Sequence, residues 1–185
     1  LDVVLAQDGS LVSSQESDNL IDSGTLADNK WVSAVGDTLY LAQADEQGSV
    51  NGLLQMQLDG NNGAKAKGVI PFSQDSYSSA YFSVLEDGTV YAADADGFFH
   101  CDAGDTNWQK LLEGIDTSFS MSDQWCRDIV ALSDGSVYAW FGSESGDKIM
   151  IYRYDPDAVI EVTEELTLYT VEESFFLQQA AVQYH

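Results

Sequence analysis

Two short β-favouring runs joined at an Asp-Gly turn recur along this chain, and no other feature limits its fold as strongly. In the clearest copy, Tyr81–Leu85 leads through Glu86-Asp87-Gly88 into Thr89–Ala93. A second copy keeps the spacing: Asp128–Leu132, Ser133-Asp134-Gly135, Ser136–Trp140. A third varies the turn, with Trp31–Val35, Gly36-Asp37 and Thr38–Ala42. A shortened copy opens the chain as Val3–Ala6, Gln7-Asp8-Gly9 and Ser10–Val12. Asp-Gly between such runs is the strongest short-range hairpin signal.

Each full copy continues alike. A third strand ends at an Asp-led turn: Leu53–Leu58 before Asp59, Phe98–Cys101 before Asp102, Ile149–Tyr154 before Asp155. A fourth, shorter strand follows at Val69–Phe72, Trp108–Leu112 and Val159–Val162. Pro71 suits that place, because proline in sheets is confined to edges. The second-strand tyrosines Tyr40, Tyr91 and Tyr138 lie 51 and 47 residues apart. Four antiparallel strands repeating at that interval describe a propeller blade. The fold expected is therefore all-β, a β-propeller or partial propeller with three four-stranded blades and one partial blade. In that partial blade a loop from Ser13 to Asn19 stands where the third strand would be. A β-sandwich would not need the same phrase three times. The first strands read as apolar on both faces, so they are expected to pack between neighbouring blades. Trp31, Trp108, Trp125 and Trp140 are expected in the inter-blade core. Propellers usually have four to eight blades. The count therefore leaves three arrangements open: a small ring with an irregular first blade, a piece of a longer propeller, or a homodimer whose copies complete each other.

After Glu164-Glu165 the phrase stops. Leu166–Val171 reads as a strand, and Phe175–His185 as a helix with Ser174 as its N-cap and Leu177, Ala181 and Tyr184 on one face. Residues 1–164 are thus expected to form the repeat domain and 165–185 a short strand and helix. Leu166-Thr167-Leu168-Tyr169-Thr170-Val171 followed by Gln179-Ala180-Ala181 resembles the opening strand and first helix of the solute-binding proteins of ABC importers. Tyr152-Arg153-Tyr154-Asp155-Pro156-Asp157 is similar to phrases in propeller-like regions that precede that domain in Gram-positive lipoproteins. The resemblance implies a non-catalytic extracellular binding or interaction module, carbohydrate-related, held at the cell surface through a missing N-terminal segment. It carries over no substrate-contact residue, since the two-lobed cleft of that family is absent. A structural spacer, or one half of a self-associating propeller, is the alternative reading.

Charge narrows the partners. With 31 acids against 7 bases the formal net charge is −24, a field that repels phosphate backbones and anionic lipids. Nucleic acid is excluded as a partner, and no apolar run is long enough for membrane insertion. A small-molecule or glycan ligand, or a protein partner, stays open. Chemistry has little to build on. His100 alternates with Phe99 and Cys101 along a strand, which suits a structural role. Gly142-Ser143-Glu144-Ser145-Gly146 has Glu144 where a nucleophile elbow needs serine. A propeller-fold glycan hydrolase or lyase would need a carboxylate pair, and nothing singles one out among so many acids. No catalytic residue or cofactor is assigned. Asp94-Ala95-Asp96-Gly97 copies the first half of a calcium loop, so Asp94 and Asp96 are the candidate metal ligands, although the later ligands of such a loop are missing. Cys101 and Cys126 are too few to define a disulfide framework, and spacing does not say whether they are bonded.

Overall fold

The computed structural model describes residues 2–5, 11–15, 31–58, 64–72, 80–94, 96–113, 124–143 and 149–158. Among these the protein is all-β, and every strand pairing is antiparallel. Strands β1 (Asp2–Leu5) and β2 (Leu11–Gln15) form a hairpin. Sheet I contains β3 (Val32–Val35), β4 (Thr38–Ala44), β5 (Val50–Leu58) and β6 (Ala64–Pro71), in chain order. Sheet II repeats the meander with β7 (Tyr81–Val84), β8 (Val90–Asp94), β9 (Gly97–Cys101) and β10 (Gln109–Glu113). Sheet III has β11 (Gln124–Ala131), β12 (Val137–Ser143) and β13 (Ile149–Tyr154). The chain divides into two compact units, Leu1–Gln74 with the hairpin and sheet I, and Asp75–His185 with sheets II and III.

Turn chemistry sets the register. In the β7–β8 hairpin Gly88 has φ +92°, donates its N–H to Leu85 O at 2.9 Å, and Leu85 N–H closes the loop on Thr89 O at 2.9 Å. The β11–β12 hairpin repeats this: Gly135 has φ +84°, its N–H reaches Leu132 O at 3.0 Å, and Leu132 N–H reaches Ser136 O at 2.8 Å. Positive φ places a Cβ against the backbone, which is why glycine holds this position in both copies.

That register decides which side chains face in. In the second unit, sheets II and III pack face to face. Tyr91, Ala93 and Phe98 of sheet II meet Ile129, Ala131, Val137, Ala139 and Phe141 of sheet III, with Cys126 at the end of the row. Phe141 meets Tyr152 edge-on at 5.4 Å, and Phe98 meets Tyr154 edge-on at 6.4 Å. The first strands of the two repeats also touch, since Ala131 N–H donates to Ser83 Oγ at 2.9 Å. In the first unit the buried residues of sheet I include Tyr40, Ala42, Leu53 and Met56.

Several expectations change. None of the first strands β3, β7 and β11 is buried on both faces. Strands β3 and β11 each carry exposed residues, and in sheet II it is the second strand, β8, that is buried throughout, whereas in β7 only Phe82 is. Packing on the faces explains it: Tyr91 and Ala93 of β8 are covered by sheet III, and Val90, Ala92 and Asp94 on its other face are buried as well. Trp125 and Trp140 are exposed rather than core, and Trp31 and Trp108 are only half-buried. Strand β2 continues through Ser13 to Gln15, where a loop was expected, and β6 starts at Ala64 rather than Val69. Pro71 does lie in an edge strand. The four-stranded count holds for sheets I and II, while the expected fourth strand of sheet III, Val159–Val162, lies outside the described residues. The C-terminal strand and helix, and the boundary at 164–165, lie outside them as well.

Two substitutions check this core. Phe141→Ala empties a fully buried position between the sheets and is expected to cost about 3–5 kcal/mol. Gly135→Ala forces a side chain onto φ +84° and is expected to cost about 1–2 kcal/mol. Urea unfolding midpoints of the second unit's variants measure both.

Candidate functional site

The acids named for calcium are found in a turn that uses them. Asp94 ends β8 and is fully buried, and its Oδ1 accepts the N–H of Asp96 at 2.7 Å and of Gly97 at 3.1 Å. Asp96 is half-buried in the turn to β9. The two residues are therefore brought together by a backbone cap, in which one carboxylate oxygen already holds two N–H groups. Among the described residues no group of three or more His, Cys, Asp or Glu side chains is placed to hold a metal ion.

The same use of aspartate recurs along the chain. Asp87 Oδ1 accepts Thr89 N–H at 2.9 Å, and Asp134 Oδ1 accepts Ser136 N–H at 2.9 Å. Asp45 Oδ1 accepts the N–H of Gln47 and Ser49, both at 2.9 Å. Asp105 Oδ1 accepts the N–H of Thr106 at 2.6 Å and of Asn107 at 3.2 Å. These backbone donors stabilise the charged form, so the Asp87, Asp105 and Asp134 carboxyls titrate below the ordinary aspartate value.

His100 faces Tyr91, ring centroids 5.0 Å apart, with its Nε2 3.4 Å from Asp102 Oδ1. Burial, followed by nearby acids led by Asp87, pushes the Tyr91 phenol up. Cys101 and Cys126 are free thiols, both buried. Burial raises both thiols above the ordinary cysteine value, and nearby acids add to it, which suppresses the thiolate a nucleophile needs.

What the sequence reading missed is the outward face of sheet III. Val130, Tyr138, Trp140 and Ile151 lie on it, paired across the sheet as Val130 with Tyr138 and Trp140 with Ile151. Val130 is 54% exposed, Trp140 45% and Ile151 72%. Trp125 and Ile149 extend the same face, and both are exposed. Arg153 lies at its margin, 5.8 Å from the Tyr138 ring and 3.0 Å from the Asp155 carboxylate. A signal was present: Ile149-Met150-Ile151-Tyr152 is apolar at successive positions, the pattern of a strand covered on both faces.

Compared with protein-family models, curated proteins and solved structures, the chain matches none.

Two outcomes check these assignments. A carboxyl held below its unfolded value contributes stability above that value and loses it as pH falls through the folded one. The stability advantage of the wild type over a D87N/D105N/D134N variant is therefore expected to narrow as pH drops below the ordinary value of 3.8, read as paired thermal melts. With an aromatic disulfide reagent near pH 8, the folded protein is expected to react slowly. In denaturant it should release both thiols at once, and no release there would mean a Cys101–Cys126 bond.

Proposed function

We propose that this chain is a propeller-type repeat module that works by presenting surfaces for binding, outside the cell, ahead of a solute-binding domain. The observation that carries it is the stacking of sheets II and III. One face of the repeat in sheet II, with Tyr91, Ala93 and Phe98, packs on the opposite face of the repeat in sheet III, with Ile129, Ala131, Val137 and Ala139, and their first strands meet at Ser83 and Ala131. Sheets built from one phrase and stacked face to face, first strand beside first strand, are what a propeller requires. The acids support a non-catalytic role, because those of the hairpins cap backbone N–H groups. The extracellular, surface-anchored setting and the link to a solute-binding lipoprotein rest on the resemblance of residues 165–185 and on the charge of −24.

A glycan ligand is the second reading, favoured by the exposed rings of Trp125, Tyr138 and Trp140 on one sheet face. Aromatic faces of this kind stack on the C–H faces of sugars. The test is incubation with soluble oligosaccharides of several linkages, followed by mass spectrometry and thermal melts. No cleavage products are expected. A melting shift lost in Trp140→Ala supports the glycan reading, absence of any shift leaves protein binding or a spacer, and a cleaved product overturns the non-catalytic proposal.

A further inference from the structure

Aligning the Asp-Gly turns of sheets II and III lets one face be read from the other. Tyr81, Ser83, Tyr91 and Ala93 of sheet II stand where sheet III has Asp128, Val130, Tyr138 and Trp140. Their neighbours on the third strand correspond too: Phe98 pairs with Ala93 as Ile151 pairs with Trp140. In sheet II this face is closed, since Tyr91, Ala93 and Phe98 are buried against sheet III. In sheet III the equivalent face is the open one. The repeat thus leaves bare on sheet III the surface that on sheet II receives a further sheet.

The complementary surface is also on the chain. Sheet III covers sheet II with Ile129, Ala131, Val137 and Ala139. The equivalent positions of sheet I, counted from Tyr40 and the β3–β4 pairing, are Val32, Ala34, Leu39 and Leu41. They are small or branched apolar residues of the same kind. Val32 is 58% exposed, Ala34 is exposed, and Leu39 and Leu41 are half-buried, while their third-strand partners Leu54 and Met56 are already buried, so the free part of this face is its β3–β4 side.

We propose that the open face of sheet III docks onto this face of sheet I in a second copy of the chain, head to tail. The proposal rests on the stacked-repeat reading above and names its partner. The open face is mainly apolar, with Val130, Trp140 and Ile151 exposed on it; its charged groups are Asp128, paired across the sheet with Trp140, and Arg153, which is held by Asp155. A net charge of −24 opposes self-association at long range. Salt removes that repulsion, since screening sets in within about 8 Å at about 0.15 M, while the apolar contact persists. Association therefore strengthens with ionic strength, the reverse of a contact made by opposite charges. A head-to-tail contact of this kind closes into a ring or runs on as a filament.

Sedimentation of the whole chain over a range of concentrations, at about 0.05 and about 0.5 M salt, tests it. The mass is expected to rise above the monomer's 20.2 kDa with concentration, and further at the higher salt. Trp140→Glu and Val32→Glu, each checked for folding by circular dichroism, are each expected to weaken association about thirtyfold or more. Mixed together they are expected to form one-to-one dimers and nothing larger, because each variant keeps the face the other has lost. A wild type that stays monomeric under all conditions overturns the proposal, whether the face is bare or covered by another segment of the same chain. So does association that Val32→Glu leaves intact. The stacked-repeat reading is judged separately by Phe141→Ala: if that variant unfolds no more readily than wild type, the stacking itself is wrong.

Discussion

An aspartate carboxylate accepting a backbone N–H one to three residues ahead is the contact on which the second unit depends. Asp87, Asp94, Asp105 and Asp134 each make it, at the connections between successive strands. The turn so closed fixes which residue of one strand lies opposite which of the next. Strand side chains alternate with a period of two, so a slip of one residue would carry Ile129, Ala131 and Phe141 to the outside and Val130 and Trp140 to the inside. Interlocking with Tyr91 and Phe98 is possible in only one of those registers. The arrangement also explains how a chain of net charge −24 packs at all. Asp87, Asp105 and Asp134 gather at turns, where water solvates them, while the buried Asp94 is satisfied by the N–H groups of Asp96 and Gly97, and the packed faces between the sheets are left apolar.

That division of labour made the hairpins legible in the sequence. Asp87-Gly88 and Asp134-Gly135 announce local geometry, and local geometry does not depend on distant partners. The third strands of sheets I and II were legible for the same reason, being bounded by Asp-led turns. Burial was harder, because it depends on which neighbour a strand acquires. The first strand of a repeat carries many apolar residues, yet in β7 only Phe82 is buried and the full burial falls to β8, whose run Val90-Tyr91-Ala92-Ala93-Asp94 includes an acid. The same limit applied to the tryptophans, where hydrophobicity suggested the interior and register places Trp125 and Trp140 outside.

The candidate site shows a related lesson about acids. Asp94 and Asp96 resemble half of a calcium loop by spacing alone, but spacing does not reveal that Asp94 Oδ1 already holds the N–H groups of Asp96 and Gly97. At the equivalent position sheet III has Phe141, also fully buried. One repeat thus closes its sheet with a hydrogen-bonded carboxylate and the other with an aromatic ring. Polar and apolar solutions of one packing position are both stable when the polar group is satisfied.

Stacked repeats draw stability from their neighbours, so the ends of an array differ from its middle. A terminal repeat ordinarily turns a polar face to water, since it has no further sheet to cover it. Sheet III differs from such a cap: Val130, Trp140, Ile149 and Ile151 are exposed on its outward face, beside the charged Asp128 and Arg153. Its outward face has instead the composition of an internal repeat, and its third strand is apolar on both sides. The face of sheet I with Val32 and Ala34 is also apolar where a cap would be polar. Both faces are explained together if the repeat was built to be covered on each side, with Asp87, Asp105 and Asp134 set at the turns.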